Sequence, residues 1–487
     1  VQPDSDIDRP NILLIVLDTV RAKNLSVYGY DRDTTPFFEE FSEQSITYER
    51  AYSPAPWTTP SHASMFTGTY VAEHQTDRDN ERLTPDFPTL AELLGKHGYE
   101  TVGFSNNAHV SPDFEFDRGF DTFVFNGESY NEPLDGGVSV SQIRSNVEDG
   151  PFHRQAAEAV RYVRENDGSL TKTGLNWLYR KGVEAGIFSS SDRGATSTNL
   201  FVEEFLDDRS DEPFFMFLNY MEGHAPYQAP DRYQYRYNED PSVSDWWPQE
   251  KYFAQQADDQ ERKVSDLLDQ YDGCIRYLDA MLEELVETLK RRDCLDDTLI
   301  VVTSDHGEAF GEWGLYEHKA GVYNELTRVP LFIKTTEQRS ELRDEPVSCR
   351  WLFPTLLRAG GVSVPDHAVD ADLLSQDRRP VVAESEGLPY GDDVFESSLP
   401  RKFASPHQGY VDGTQKLIRY ETDDVELYDL EDESADAAIE DDDRKAQLCE
   451  RLEAILPDRN RTARSDADRE VEIADETLEH LHELGYR

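Results

Sequence analysis

The chain of 487 residues carries 99 acidic against 48 basic residues, a formal net charge of -51 at pH 7. That excess argues against nucleic acid or an anionic membrane as partner, because binding phosphate needs basic patches. Its 24 Phe, 24 Tyr and 6 Trp are too many for a disordered chain, and the length calls for two or three structural units, one of them a large α/β sheet.

The basic residues are mostly arginine, and an acidic, lysine-poor surface fits a halophilic protein, since salt screens the self-repulsion. Cys274, Cys294, Cys349 and Cys449 lie far apart without a CxxC pair and read as buried free thiols. No run approaches the roughly 18 apolar residues of a transmembrane segment. The opening residues show no signal-peptide pattern, so a cytoplasmic location is expected, with a processed start left open by Val1.

In chain order, the apolar run 11–17 reads as a strand buried on both faces, ending in Asp18-Thr19-Val20-Arg21. Ligands bind beyond the carboxyl ends of parallel strands, so Asp18 is a site candidate; helix capping is its plainer role. Residues 36–45 predict a helix and 46–53 a strand. Next comes W-T-T-P-S-H-A-S-M-F-T-G, where Thr59 suits an N-cap and Pro60 the first helical position, leaving Thr58 just ahead of a helix N-terminus. An alkoxide there would be stabilised by the macrodipole; an ordinary capped helix is the plainer reading.

Residues 90–98 predict a helix and 99–104 a strand that exits at Ser105-Asn106-Asn107. Strand and helix alternate, which points to a doubly wound α/β sheet. The stretch 128–199 is an irregular insertion, with helices placed near 154–165 and 170–181. A buried strand at 213–220 leads to Glu222-Gly223-His224, and the aromatic loop 227–253 holds Tyr233, Tyr235, Tyr237, Trp246, Trp247 and Tyr252. These rings could roof a pocket or simply pack the loop.

Apolar residues at threes and fours from Val264 to Leu289 predict a long helix over 262–292, feeding a strand at Thr298–Thr303 that exits at Ser304-Asp305-His306-Gly307-Glu308. A strand follows at 329–334, preceded by His318-Lys319. Short strands at 409–411, 416–420 and Val425–Asp429 suggest a small antiparallel sheet, followed by an acidic helical tail with a last amphipathic piece at 473–484. The expected organisation is a catalytic α/β domain over 8–395 and a C-terminal subdomain over 396–487.

Three strand exits thus offer Asp18, Thr58 and Asp305-His306. Two carboxylates, an imidazole and a hydroxyl make a four-ligand site for a divalent cation, which would ease ionisation of the hydroxyl.

At this point the chain resembles the sulfatase family of the alkaline phosphatase superfamily. The resemblance rests on R-P-N-I-L-L-I-V-L-D-T-V-R, T-T-P-S-H-A-S-M-F-T-G, G-H-A-P-Y at His224, T-L-I-V-V-T-S-D-H-G-E, Y-N-E-L-T-R-V-P at Tyr323 and V-E-L-Y-D-L at Val425, in family order. It implies an alkaline phosphatase-like fold, a large and mostly parallel central sheet flanked by helices. It further implies Asp18, Asp305 and His306 as metal ligands, Thr58 as nucleophile and fourth ligand, and His224 and Lys319 in catalysis. Arg21 fits the family's arginine after the first acidic ligand, or a salt bridge to a neighbouring carboxylate. His62, Asn107 and His318 are expected on the substrate side.

Departures from the family pattern bear on the chemistry. Sulfatases oxidise a Cys or Ser in C-x-P-S-R to formylglycine; here Thr58 stands there, and oxidation of its carbinol carbon would give a ketone. His62 replaces the Arg, Thr19 the usual second Asp, and His306 the common Asn. This set shifts the expected ion from calcium or magnesium towards manganese or zinc, one ion rather than two. The pattern is also similar to the phosphoryl-transfer branch, including the lipoteichoic acid synthases. The expected function is metal-dependent hydrolysis of a sulfate or phosphate ester by in-line attack of Thr58. The substrate would be a small molecule, glycan or lipid headgroup. The alternatives are a phosphodiesterase or a phosphoryl-group transferase acting on a glycan or lipid, and a catalytically silent binder of anionic glycans.

Overall fold

The computed structural model describes residues 9–126, 192–237, 260–318, 320–337, 339–375, 379–388, 401–422, 424–430 and 437–456, with isolated positions at 161, 473, 477, 478 and 481. Trp246, Trp247, Tyr252, Lys319 and the helices expected at 154–165, 170–181 and 473–484 fall wholly or largely outside them.

The apolar strand runs meet in one eight-stranded sheet. Its order is Glu341–Arg343, Ile46–Tyr48, Leu331–Lys334, Thr298–Thr303, Asn11–Leu17, Phe214–Tyr220, Glu100–Ser105 and Thr122–Phe125. Leu331–Lys334 pairs antiparallel with both neighbours, and every other pairing in the sheet is parallel. Asn11–Leu17 lies between Phe214–Tyr220 and Thr298–Thr303, with Ile12 opposite Phe215 on one side and Leu299 on the other. This central place explains its unbroken apolar run: Ile12, Leu14 and Val16 enter one core, Leu13, Ile15 and Leu17 the other.

The second core is closed by the helix Gln260–Arg291, whose Tyr271, Ile275, Leu278, Leu282, Leu285 and Leu289 are buried against the sheet. The first is closed by Thr58–Thr67 and by Leu352–Ala359, which places Phe353, Leu356 and Leu357 there. No described helix is long and apolar enough to cross a membrane.

The expected antiparallel sheet is present but has four strands, Val381–Ser385, His407–Asp412, Gln415–Tyr420 and Val425–Asp429, backed by the helix Asp442–Ile455. Its first strand lies ahead of the boundary expected at 396. Val381–Ser385 is short and buried throughout, so no alternation marked it in the sequence. All four cysteines are free; Cys274, Cys294 and Cys349 are buried as expected, while Cys449 is only half-buried.

Candidate catalytic and metal centre

The centre forms where Asn11–Leu17 and Thr298–Thr303 end side by side. Asp18 directly follows the first strand, its backbone N–H donating to Tyr220 O at 2.8 Å. Thr19, at φ +59°, turns the chain so that its own N–H donates to Asp305 Oδ1 at 3.2 Å. Asp305 Oδ1 also accepts the His306 N–H at 2.9 Å. Ser304 ties the two exits together, accepting the Val20 N–H at 3.0 Å and donating to His306 O at 2.7 Å.

Thr58 arrives from the helix Thr58–Thr67. The helix starts two residues earlier than the sequence suggests: Trp57 is the N-cap, Thr58 the first helical residue, and Pro60 lies inside the first turn. Proline is tolerated there because N–H groups of a first turn have no intrahelical partner to lose. Thr58 Oγ1 lies 3.3 Å from His306 Nε2. The opposite ring nitrogen of His306 donates to Gly307 O at 2.9 Å, which fixes the tautomer and turns the Nε2 lone pair to the centre.

Whether these residues suit a metal ion is answered by what they leave unpaired. Ligand atoms of Asp18, Asp305 and His306 all lie within 4.8 Å of one another. Asp18 Oδ1 and Asp305 Oδ2 are buried and accept no hydrogen bond. Burial, with the neighbouring Asp305 charge, pushes the Asp18 carboxyl up to about 8; burial pushes Asp305 up to about 7 and lowers His306. Two uncompensated carboxylates beside a neutral imidazole fit a divalent cation.

Asn107, expected on the substrate side, spends its amide N–H on Asp18 Oδ2 at 2.6 Å. His62 lies within the core behind the helix, its Nδ1 donating to Thr58 O at 3.0 Å and its ring edge-on to Phe66, Phe116 and Phe217. Burial lowers it to about 3, so it is neutral. Arg21 pairs its guanidinium with Glu312 at 2.9 Å, donates to Glu308 O at 3.0 Å and stacks over Phe310. That is the salt-bridge alternative. A buried guanidinium needs a carboxylate at hand, and Glu312 supplies it.

His224 and His318 are brought to the centre together. The His318 ring lies 4.3 Å from that of His306 and 5.1 Å from that of His224. His318 Nδ1 is 3.1 Å from Glu308 Oε1, and Glu308 Oε2 accepts the Tyr227 hydroxyl at 3.0 Å. His224 Nδ1 donates to Ala225 O at 2.6 Å; burial, then Arg193, hold its pKa well below the usual imidazole range.

Three supporting residues went unnoticed in the sequence. Ser61 Oγ donates to Asp305 O at 2.7 Å, Ser304 joins the strand exits, and Glu308 orients His318. Their only signal was position, inside T-T-P-S-H and T-S-D-H-G-E.

A family profile described as Sulfatase matches residues 10–362. A protein named Sulfatase from Formosa agariphila is 24% identical over 95% of this chain and 89% of its own. A structure in complex with its substrate D-glucosamine-2-N,6-O-disulfate superposes with a TM-score of 0.67 at 18% identity, covering 92% of this chain and 97% of that one. The phosphonate monoester hydrolase of Silicibacter pomeroyi does so at 0.64 and 20% identity, over 92% and 94%. The likeness to both solved structures is one of fold.

Proposed function

The chain belongs to the sulfatase family, and we propose that it is a metal-dependent hydrolase of sulfate or phosphate-type esters with Thr58 as nucleophile. One observation carries this reading: the Thr58 hydroxyl stands at a helix N-terminus, 3.3 Å from His306 Nε2, beside two carboxylate oxygens that lack donors. Asp18, Asp305 and His306 would hold the ion. When bound, it would act as a Lewis acid and ease ionisation of a nearby hydroxyl.

The chain's own groups account for the rest. The positive end of the helix favours negative charge on Thr58 Oγ1 and on the ester oxygen beside it. Neutral His224, with Nδ1–H committed to Ala225 O, lies beside the His318 ring at the centre and is the proposed proton carrier. It suits taking the Thr58 proton as Oγ1 bonds to sulfur or phosphorus, and passing that proton to the oxygen of the breaking ester bond. Asn107 and His62 hold Asp18 and the Thr58 carbonyl in place.

Family membership favours a sulfate ester. Threonine, which cannot give the aldehyde of standard sulfatases, favours phosphate, phosphodiester or phosphonate esters; one fold neighbour is a phosphonate monoester hydrolase. Sulfated or phosphorylated glycans and small molecules are the proposed substrates. The test is turnover of aryl sulfate, phosphate monoester, phosphodiester and phosphonate monoester by the wild type and Thr58→Ala, each with manganese, zinc, calcium or magnesium. Loss of turnover in Thr58→Ala with metal stoichiometry retained supports the reading. Full activity in that variant overturns it.

A further inference from the structure

His318 and the segment 320–327 lie between the proposed metal-ligand loop and the C-terminal sheet, and both sides grip them. Towards the ligand loop, Gly307 N–H donates to Leu326 O at 2.8 Å and Glu308 N–H to Glu325 O at 3.0 Å. The approach is close: a Cβ on Gly307 would meet Glu325 O at 2.1 Å. His318, at the other end of the segment, returns to Glu308 and stacks on His306.

On the opposite side anchors come from the C-terminal sheet and from Lys402 between its first two strands, beside Trp313 stacked on Tyr323 and the Ser53 N–H on Thr327 O. His407 Nδ1–H donates to Ser405 O at 2.9 Å, so Nε2 is an acceptor and receives the Gly321 N–H at 3.0 Å. Gly321 has φ +100°, and a Cβ there would press on Leu315 and Leu326 at 3.1 Å, so the chain turns there only as glycine. Tyr323 lies 2.9 Å from the Tyr420 hydroxyl, donates to Glu426 at 2.9 Å and accepts from Lys402 at 2.8 Å. Lys416 donates to Asn324 Oδ1 at 3.2 Å and Thr327 Oγ1 at 3.4 Å.

We propose that His407 is a positioning residue of the catalytic centre: by holding Gly321 it sets where His318 and the Gly307–Glu308 turn stand beside His306. The C-terminal sheet is then a working part of the site. The proposal rests on the hydrolase reading above. Its physical basis is that a displacement of about 1 Å at the reacting groups can cost about a hundredfold in rate, even when its origin is remote.

The test compares His407→Ala with His407→Gln, whose amide oxygen can accept the same N–H. In His407→Ala, kcat on the preferred ester is expected to fall about tenfold or more with KM nearly unchanged, and amide exchange to quicken in 318–327. Metal stoichiometry stays at the wild-type level, and His407→Gln recovers most of the rate. If His407→Ala fails to fold, Lys416→Met, which frees the other end of the segment, is expected to show the same kcat loss and faster exchange. Wild-type kcat despite faster exchange overturns the positioning role, as does a folded His407→Gln as impaired as His407→Ala. Either result is separable from failure of the nucleophile assignment, which is read on Thr58→Ala alone.

Discussion

The helices Thr58–Thr67 and Gln260–Arg291 pack on opposite faces of the central sheet, the first towards Ile12, Leu14 and Val16, the second towards Leu13, Ile15 and Leu17. The long helix places leucines at threes and fours on the sheet and leaves Glu283, Glu284 and Glu287 to solvent. All ten residues of the short helix are buried, yet six of them are Thr, Ser or His. Most of these polar groups find partners: Ser61 takes Asp305 O, Ser64 pairs with His74, Thr67 bonds Ala63 O and His62 Nδ1 bonds Thr58 O, while Thr59 Oγ1 and His62 Nε2 have none. An unpaired buried polar group costs about 1–3 kcal/mol, so this helix depends on specific neighbours, whereas the long one adds to its apolar face a few buried carboxylates, Asp272 on Asn24 and Asp279 on the Phe37 and Phe38 N–H groups. Under the proposed function the short helix brings the nucleophile, while the long helix chiefly covers the other face of the sheet.

Substitutions should separate the two faces, and the largest effect is expected at Thr58. Thr58→Ala should lower kcat by about a thousandfold or more while the denaturation midpoint hardly moves. The pH dependence of metal binding comes next. Asp18 and Asp305 are raised to about 8 and about 7, so the metal-free fold holds protons that binding must expel. Affinity, measured by calorimetric titration, should rise from pH 6 and level off above about 8, approaching about a hundredfold per pH unit where both carboxyls release a proton. Linkage gives the stability of the metal-free fold the opposite trend: raised carboxyls favour that fold at low pH, and the contribution falls progressively as pH rises from about 4, the unfolded value, to about 8. Chelator-treated protein should therefore lose melting temperature across that window more than loaded protein does.

On the other face, Leu282→Ala should cost about 3 kcal/mol in denaturant unfolding, with kcat per folded molecule unchanged. A kcat loss there would break the division between the faces. The smallest effect is expected for Ser61→Ala, about 1 kcal/mol, because Asp305 O keeps its bond from Ser53. A several-fold fall in kcat beside that small cost would sharpen the division, since it would place the loss in the alignment of Asp305.

Legibility followed the same division. Periodicity placed the long helix to within two residues of Gln260–Arg291, and apolar runs placed Asn11–Leu17 and Thr298–Thr303. Thr122–Phe125 and Glu341–Arg343 were missed because edge strands are short and only partly buried, so neither alternation nor a continuous run marks them. The centre was half legible. Asp18, Thr58, Asp305 and His306 stand at strand exits and a helix start, and the structure brings them together. The surroundings of Arg21, Asn107 and His62 were not legible, because each is met by a residue distant in sequence or by the core.

What the sequence by itself determined was where the elements run and which polar residues end them, since both follow from local burial and capping. The tertiary structure alone decided that Arg21 belongs to Glu312, that Asn107 belongs to Asp18, and that a sheet beginning at Val381 reaches the segment behind the ligand loop. The physical reason is one of range. Apolar burial is written residue by residue in a repeating pattern, while a buried polar group takes its role from the single partner that folding delivers to it.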